Sequence, residues 1–167
     1  MDSPLMGAHG YCSQEMVHLC LLGKAISNTF DGDKVLDKSS GFVLKGITNR
    51  SEVGLLSLFE HYDSIVVGDF LKTPNFPIWL ICSESHFTVL FGTQRGLQRS
   101  SMADKRPIDL YYYDQLNRAQ ESLIKLTIDC SKLSRGNTSS LISPIEHCIR
   151  TKWLDASIDW NGAEPLL

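Results

Sequence analysis

Two apolar runs of strand length lie next to each other near the middle of this 167-residue chain. Residues 78–82 are apolar throughout, and His86–Phe91 is rich in branched and aromatic residues. Runs of this length and composition are typical of buried strands, and only the polar residues 83–85 separate them. The sequence therefore predicts a central hairpin, with His86 at the beginning of its second strand beside a polar turn.

Shorter signals on both sides of the hairpin predict an α+β fold, in which helices flank a small, mainly antiparallel sheet. Further strands are predicted at residues 41–47, 108–113 and 123–128, with a final edge strand in the tail 153–160. Residues 129–143 are polar and predict a solvated loop. The helix signals are a capped helix from Ser13 to about Gly23, a helix capped by Ser51 that carries Leu55, Leu58, Phe59 and Tyr62, and a capping box with proline that starts a helix at Ser143 and runs to about Lys152.

Length and composition are those of one soluble globular domain. Hydrophobic residues make up 43% and charged residues 21% of the chain, and no stretch of about eighteen apolar residues predicts a membrane span. The net charge of -3 supplies no basic field for phosphates, so neither nucleic acid nor membrane is an expected partner. The start of the chain also lacks the features of a secretory signal.

The five cysteines form an odd set without C-x-x-C spacing, which favours reduced thiols in the cytoplasm or nucleus. Cys12, His18 and Cys20 lie close together in sequence but lack a second pair of ligands at zinc-site spacing. We therefore expect no metal and no cofactor.

His86 is the residue that most suggests chemistry. A histidine at the beginning of a central strand is where papain-like cysteine enzymes place the base that activates their thiol. Residue types alone leave a second interpretation open, because a single strand histidine is more often an ordinary core or surface residue.

The sequence around His86 carries a specific resemblance. Residues 76–91, FPIWLICSESHFTVLF, resemble without a gap the catalytic-histidine strand of the MINDY cysteine deubiquitinases, in the branch of the third and fourth members. The similarity continues in CSQE at 12–15, LGKA at 22–25, LFEHY at 58–62, DLYYYD at 109–114, CIRTKW at 148–153 and WNG at 160–162. It identifies residues 11–167 as the C-terminal half of a MINDY-type catalytic domain, preceded by an unmatched segment 1–10.

This resemblance implies part of a papain-like fold and a reaction in which a cysteine nucleophile hydrolyses isopeptide bonds in polyubiquitin, particularly of the linkage that signals degradation. His86 would be the general base, and ubiquitin or polyubiquitin the partner. An acid at the end of the next strand could orient the imidazole, with Asp114 as the first candidate and Asp109 as the second. The alternative for Asp114 is an ordinary turn aspartate. The oligomeric state stays open.

The family's nucleophile lies in a Gly-Pro-Cys-Gly element upstream of the histidine, and this chain contains no such element. Cys12 is a remote substitute because it precedes a predicted helix N-terminus, whereas Cys82 falls within a strand, where a thiol is usually inert. We therefore expect the chain alone to be inactive, either as a natural pseudoenzyme of the family or as a fragment of an active cysteine deubiquitinase with His86 as general base. A further alternative is a ubiquitin-binding or scaffold domain without catalysis.

Overall fold

The computed structural model describes residues 5–101, 103, 106–116, 123–133 and 142–165. Helices lie at α1 (Gln14–Leu22), α2 (Leu58–His61), α3 (Asp69–Lys72) and α4 (Pro144–Arg150). Strands lie at β1 (Lys34–Asp37), β2 (Phe42–Leu44), β3 (Gly54–Ser57), β4 (Ile78–Ser83), β5 (His86–Phe91), β6 (Ile108–Tyr113), β7 (Ile124–Leu133) and β8 (Ala156–Asp159).

The main sheet contains six strands in the order β3-β4-β5-β6-β7-β8. The α+β class is confirmed, as is the central β4–β5 hairpin, in which Ser83 pairs with His86. The expectation of a small, mainly antiparallel sheet is corrected in one respect: β3 runs parallel to β4 and makes this six-stranded sheet mixed, while the other pairings in it are antiparallel. β8 forms the predicted edge strand beside β7.

The predicted helix that begins at Ser51 is wrong. Its first part is the strand β3, and only the short helix α2 follows, with the Ser57 hydroxyl accepting the backbone N–H of Phe59 at 3.2 Å. Leu55 and Leu56 are 1% and 0% exposed, although they project to opposite faces of the sheet. Tertiary burial on both faces therefore overrides the helical spacing, which covers one face only.

The first helix is confirmed at both ends. The Ser13 hydroxyl accepts the backbone N–H of Met16 at 3.2 Å, and Gly23 has a left-handed φ of 69° and donates its N–H to the carbonyl of Leu19. Glycine adopts this backbone conformation without strain, which explains why the helix ends there.

The C-terminal part departs from prediction in two places. β7 extends to Leu133, so the predicted loop 129–143 is partly strand, and its residues 134–141 lie outside the described part. α4 begins at Pro144 as predicted but ends at Arg150, and the Ser143 side chain makes no capping hydrogen bond. The expected capping box does not form because the Glu146 carboxylate instead accepts the Trp160 indole N–H at 2.8 Å and Arg150 at 2.7 Å.

The strand predicted at 41–47 is confirmed in shortened form as β2. It pairs with β1 in a separate two-stranded ribbon that the sequence did not predict. The apolar residues Val35, Leu36 and Phe42 of this ribbon are exposed.

The two faces of the main sheet carry different cores. One face packs Trp79, Leu90 and Tyr112 against Cys148 and Ile149 of α4. The opposite face contributes residues that pack with α1 and α3, namely Leu55, Leu80, Cys82 and Phe87. His86, as the first residue of β5, therefore lies at the end of the sheet where both cores terminate. Over the described residues, no helix is long and apolar enough to cross a membrane.

Candidate functional site

His86 is held by the tight turn between β4 and β5. Glu84 in this turn has a left-handed φ of 55°, a conformation that costs a non-glycine residue about 1 kcal/mol or more. The period of two along β5 puts the His86 side chain on the face of Thr88 and Leu90.

The imidazole of His86 contacts the carboxylate of Asp114, which directly follows β6. Nε2 of His86 and Oδ1 of Asp114 are 3.0 Å apart, and the same oxygen accepts the backbone N–H of Leu116 at 2.9 Å. The Asp114 side chain is only 10% exposed, whereas that of His86 is 38% exposed. In this arrangement the neutral imidazole donates from Nε2, so Nδ1 is the basic nitrogen. Among the described residues, none hydrogen-bonds to Nδ1.

The second candidate acid, Asp109, lies elsewhere on the sheet. Its carboxylate contacts Nζ of Lys125 at 2.7 Å and accepts the Thr127 hydroxyl at 2.8 Å. The Lys125 contact is the main cause that lowers the pKa of Asp109. The structure therefore joins His86 to Asp114 and not to Asp109.

Two buried hydroxyl groups lie on the same face as the His86–Asp114 pair. Tyr112 is 1% exposed and Thr88 is 3% exposed. Tyr112 pairs with Leu90 across β5 and β6, and continuing this register places Asp114 opposite Thr88. Neither residue is a candidate on sequence grounds, although Tyr112 precedes Asp114 by one strand period.

Of the strand and helix thiols near the hairpin, Cys148 is buried and Cys82 is half-buried. Cys82 projects to the face opposite His86, and burial raises the pKa of its thiol. Burial also raises the pKa of Cys148 to about 12, and its Sγ lies 3.8 Å from the carbonyl oxygen of Cys82. Thiols of this kind are mostly protonated at neutral pH and are poor nucleophiles.

Cys12 is exposed and borders a groove of about 550 Å³. The groove is mainly apolar and is lined by Tyr11, Cys12, Gln14, Val17, Leu55, Phe59, Cys82, Glu84, Ser85 and Phe87. It lies on the Cys82–Phe87 face, so His86 does not line it even though Ser85 does. Neither Cys12 nor Cys82 hydrogen-bonds to His86 in the described part of the chain.

His18, the histidine between Cys12 and Cys20 in sequence, makes its contacts within the protein core. His18 is fully buried, its Nδ1 contacts the carbonyl of Ile26, and its Nε2 lies 3.0 Å from the Gln14 amide nitrogen. Burial is the main cause that lowers the pKa of His18. Within the described ranges, no group of three or more His, Cys, Asp or Glu side chains is placed to hold a metal ion.

An α+β domain with a carboxylate-bound histidine at the end of its sheet is consistent with a papain-like deubiquitinase domain. Comparison with known proteins identifies the protein family, because residues 1–162 match the family model "Deubiquitinating enzyme MINDY-3/4, conserved domain". The chain belongs to this MINDY-3/4 family.

The similar curated proteins include "Probable ubiquitin carboxyl-terminal hydrolase MINDY-4" of Homo sapiens, 54% identical over 99% of this chain and 22% of the relative. The mouse (Mus musculus) protein of that name is 52% identical over the same shares. "Ubiquitin carboxyl-terminal hydrolase MINDY-3" of Xenopus tropicalis is 44% identical over 58% of this chain and 21% of its own length. The chain thus spans about a fifth of these relatives. No solved structure matches it.

Proposed function

We propose that this chain supplies the base-bearing half of a cysteine deubiquitinase site, with His86 as general base and Asp114 as the acid that orients it. The observation that carries the proposal is the 3.0 Å contact between Nε2 of His86 and Oδ1 of Asp114 at the end of the sheet. The similarity to proteins named ubiquitin carboxyl-terminal hydrolases supports ubiquitin conjugates as the substrate class. The specific substrate that we propose is isopeptide-linked polyubiquitin, with the degradation-signal linkage preferred.

The chemistry assigned to His86 follows from its tautomer. With the Nε2 proton directed to Asp114, Nδ1 can accept the proton of a thiol and later return it to the lysine amine that leaves. Asp114 stabilises the imidazolium that forms between these steps. The resulting thioester is hydrolysed when His86 removes a proton from water.

We further propose that the 167-residue chain does not catalyse this reaction alone. Cys82 is half-buried and Cys148 is buried, burial raises the pKa of both thiols, and Cys82 points away from His86. Cys12 is exposed but lies across the groove on the other face of the sheet. The proposed reaction therefore requires a thiol that these cysteines do not supply.

A second candidate function is ubiquitin binding without catalysis. It is favoured by the apolar groove beside the β4–β5 turn and by Phe59 and Tyr62, which are 42% and 62% exposed. Contiguous exposed apolar surface is typical of interaction sites. The free cysteines are compatible with either function in the cytoplasm or nucleus.

The proposal is tested by incubating the purified chain with tetra-ubiquitin and measuring cleavage, alongside His86→Ala and Cys12→Ala. We expect no cleavage by any of the three proteins. Cleavage by the unchanged chain that is lost in both variants would contradict the proposal and make Cys12 the nucleophile. Titration of the same chain with ubiquitin, followed by ¹⁵N spectra, tests the binding function through shifts confined to residues around the groove.

A further inference from the structure

Tyr112 is a buried residue whose ring and hydroxyl have separate environments. The ring packs on the core face of the sheet, with its centroid 6.3 Å from that of Trp160 in an edge-on arrangement. A phenylalanine would provide the same apolar contacts. A tyrosine buried to 99% therefore needs a polar neighbour, because a desolvated hydroxyl without one costs about 1–3 kcal/mol.

The polar neighbours of this hydroxyl are Thr88 and Asp114. Asp114 lies one strand period after Tyr112 on the same face, and Thr88 faces Asp114 from β5. Burial raises the pKa of Tyr112 to about 12, with Thr88 acting in the opposite direction and the Asp114 carboxylate adding to the rise. The hydroxyl thus keeps its proton at neutral pH and remains a donor.

The Thr88 hydroxyl provides a second observation. It is buried, its Oγ1 makes no hydrogen bond of ordinary length to any described residue, and the Tyr112 hydroxyl, whose pKa it lowers, is the polar group it acts on. A buried hydroxyl in this state is costly, so its presence calls for a specific explanation. Thr88 also lies two residues after His86 on the same strand face, so both hydroxyls lie against the His86–Asp114 pair.

We propose that Tyr112 is a positioning residue for the His86–Asp114 pair, with its buried hydroxyl donating to the Asp114 carboxylate and Thr88 supporting that hydroxyl from β5. Oδ1 of Asp114 already accepts from His86 and from the backbone N–H of Leu116. A third donor from within the core restricts rotation of the carboxylate and keeps Oδ1 directed at Nε2. This assignment rests on the proposed function of the pair, and Tyr112 itself touches no substrate.

The test measures the tautomer of His86 in the isolated chain, using imidazole ¹⁵N chemical shifts in alkaline solution, where the ring is neutral. The variants are Tyr112→Phe and Thr88→Val, each of which removes a hydroxyl and keeps the shape of the side chain. Tyr111→Phe is the matched control, because Tyr111 lies on the opposite face and stacks on Phe91 at 5.7 Å. Asp114→Asn shows the effect of losing the carboxylate itself.

We expect Tyr112→Phe to lower the ratio of the Nε2–H to the Nδ1–H tautomer by about threefold or more, the effect of one lost hydrogen bond. Thr88→Val should act in the same direction and serves alone if Tyr112→Phe does not fold, while Tyr111→Phe should leave the ratio unchanged. A ratio that changes in Asp114→Asn but not in Tyr112→Phe or Thr88→Val overturns the role of Tyr112 only. A ratio unchanged in Asp114→Asn as well overturns the proposed function of the pair too.

Discussion

Gly54 offers the sharpest test of how the sheet is assembled. It begins β3, the parallel strand beside the strand that leads into the His86 turn. A Cβ atom built on Gly54 would lie 2.3 Å from the carbonyl oxygen of Leu71 and 2.5 Å from Cδ1 of Trp79. Both neighbours are fully buried, so they have little freedom to move away.

We expect Gly54→Ala to lower the free energy of unfolding by about 2 kcal/mol, within the range of about 1–3 kcal/mol for overpacking a core. For a chain of this size that corresponds to a loss of about 4–8 °C in Tm. The assay is urea unfolding followed by tryptophan fluorescence, with the midpoint falling at an unchanged slope.

Gly7→Ala is the matched control. Gly7 has a φ of -75°, and a Cβ there would meet only the Tyr11 carbonyl oxygen at an ordinary 3.5 Å. Its effect should stay within about 0.5 kcal/mol. If Gly54→Ala unfolds at the same urea concentration as the unchanged chain, the close approach of β3, α3 and Trp79 is refuted.

Three further predictions concern groups outside the candidate pair. Burial, and after it the His61 ring stacked at 3.9 Å, lowers the pKa of His147, so the unfolded chain binds more protons than the folded one. The contribution of His147 to stability is therefore complete above about pH 6.5 and is lost as the pH falls below it. His147→Gln should reduce this pH dependence of the free energy of unfolding in urea. A thiol reagent should label the exposed Cys12 quickly and the buried Cys148 only on unfolding, whereas equal rates would contradict their different exposure. Glu146→Ala should lower the free energy of unfolding by about 2 kcal/mol, because it removes two hydrogen bonds to a carboxylate and leaves the buried Trp160 indole N–H unpaired, while Arg150 keeps its Nε contact with the Ala156 carbonyl; a loss below about 0.5 kcal/mol would show that these contacts do not form.

The hairpin and α1 could be predicted from sequence because local signals determine them. Residues 78–82 and His86–Phe91 are continuous apolar runs around a short polar turn, and Ser13 and Gly23 mark the two ends of a helix. In each case, composition and capping favour the same structure that tertiary packing requires.

β3 could not be predicted in the same way. Its apolar residues continue into α2 with a spacing that fits a helix, and only the parallel partner β4 makes an extended conformation favourable. Parallel pairing joins segments that are distant in sequence, so a local sequence pattern cannot predict it. The Glu146 contact with Trp160 likewise depends on where β8 ends, whereas its contact with Arg150 is a local i,i+4 pair within α4.

The sequence could identify individual residues of the candidate site but not the contacts between them. His86 and Asp114 could be named from the resemblance and from their positions at strand ends, but their 3.0 Å contact depends on the register between β5 and β6. The buried hydroxyls of Thr88 and Tyr112 become relevant only in that register. The thiol cannot be assigned at all, because no cysteine of this chain has the sequence context of the family's nucleophile.

Once a thiol is supplied, His86 and Asp114 should form a competent base pair. The most direct measurement is kcat/KM for polyubiquitin cleavage by human MINDY-4 in which this chain replaces the matching segment, to which it is 54% identical. We predict cleavage comparable with that of the host, reduced at least about 10³-fold by His86→Ala and about 10²-fold by Asp114→Asn, with little change in Asp109→Asn. Full activity in His86→Ala, or equal losses in Asp114→Asn and Asp109→Asn, would contradict the account.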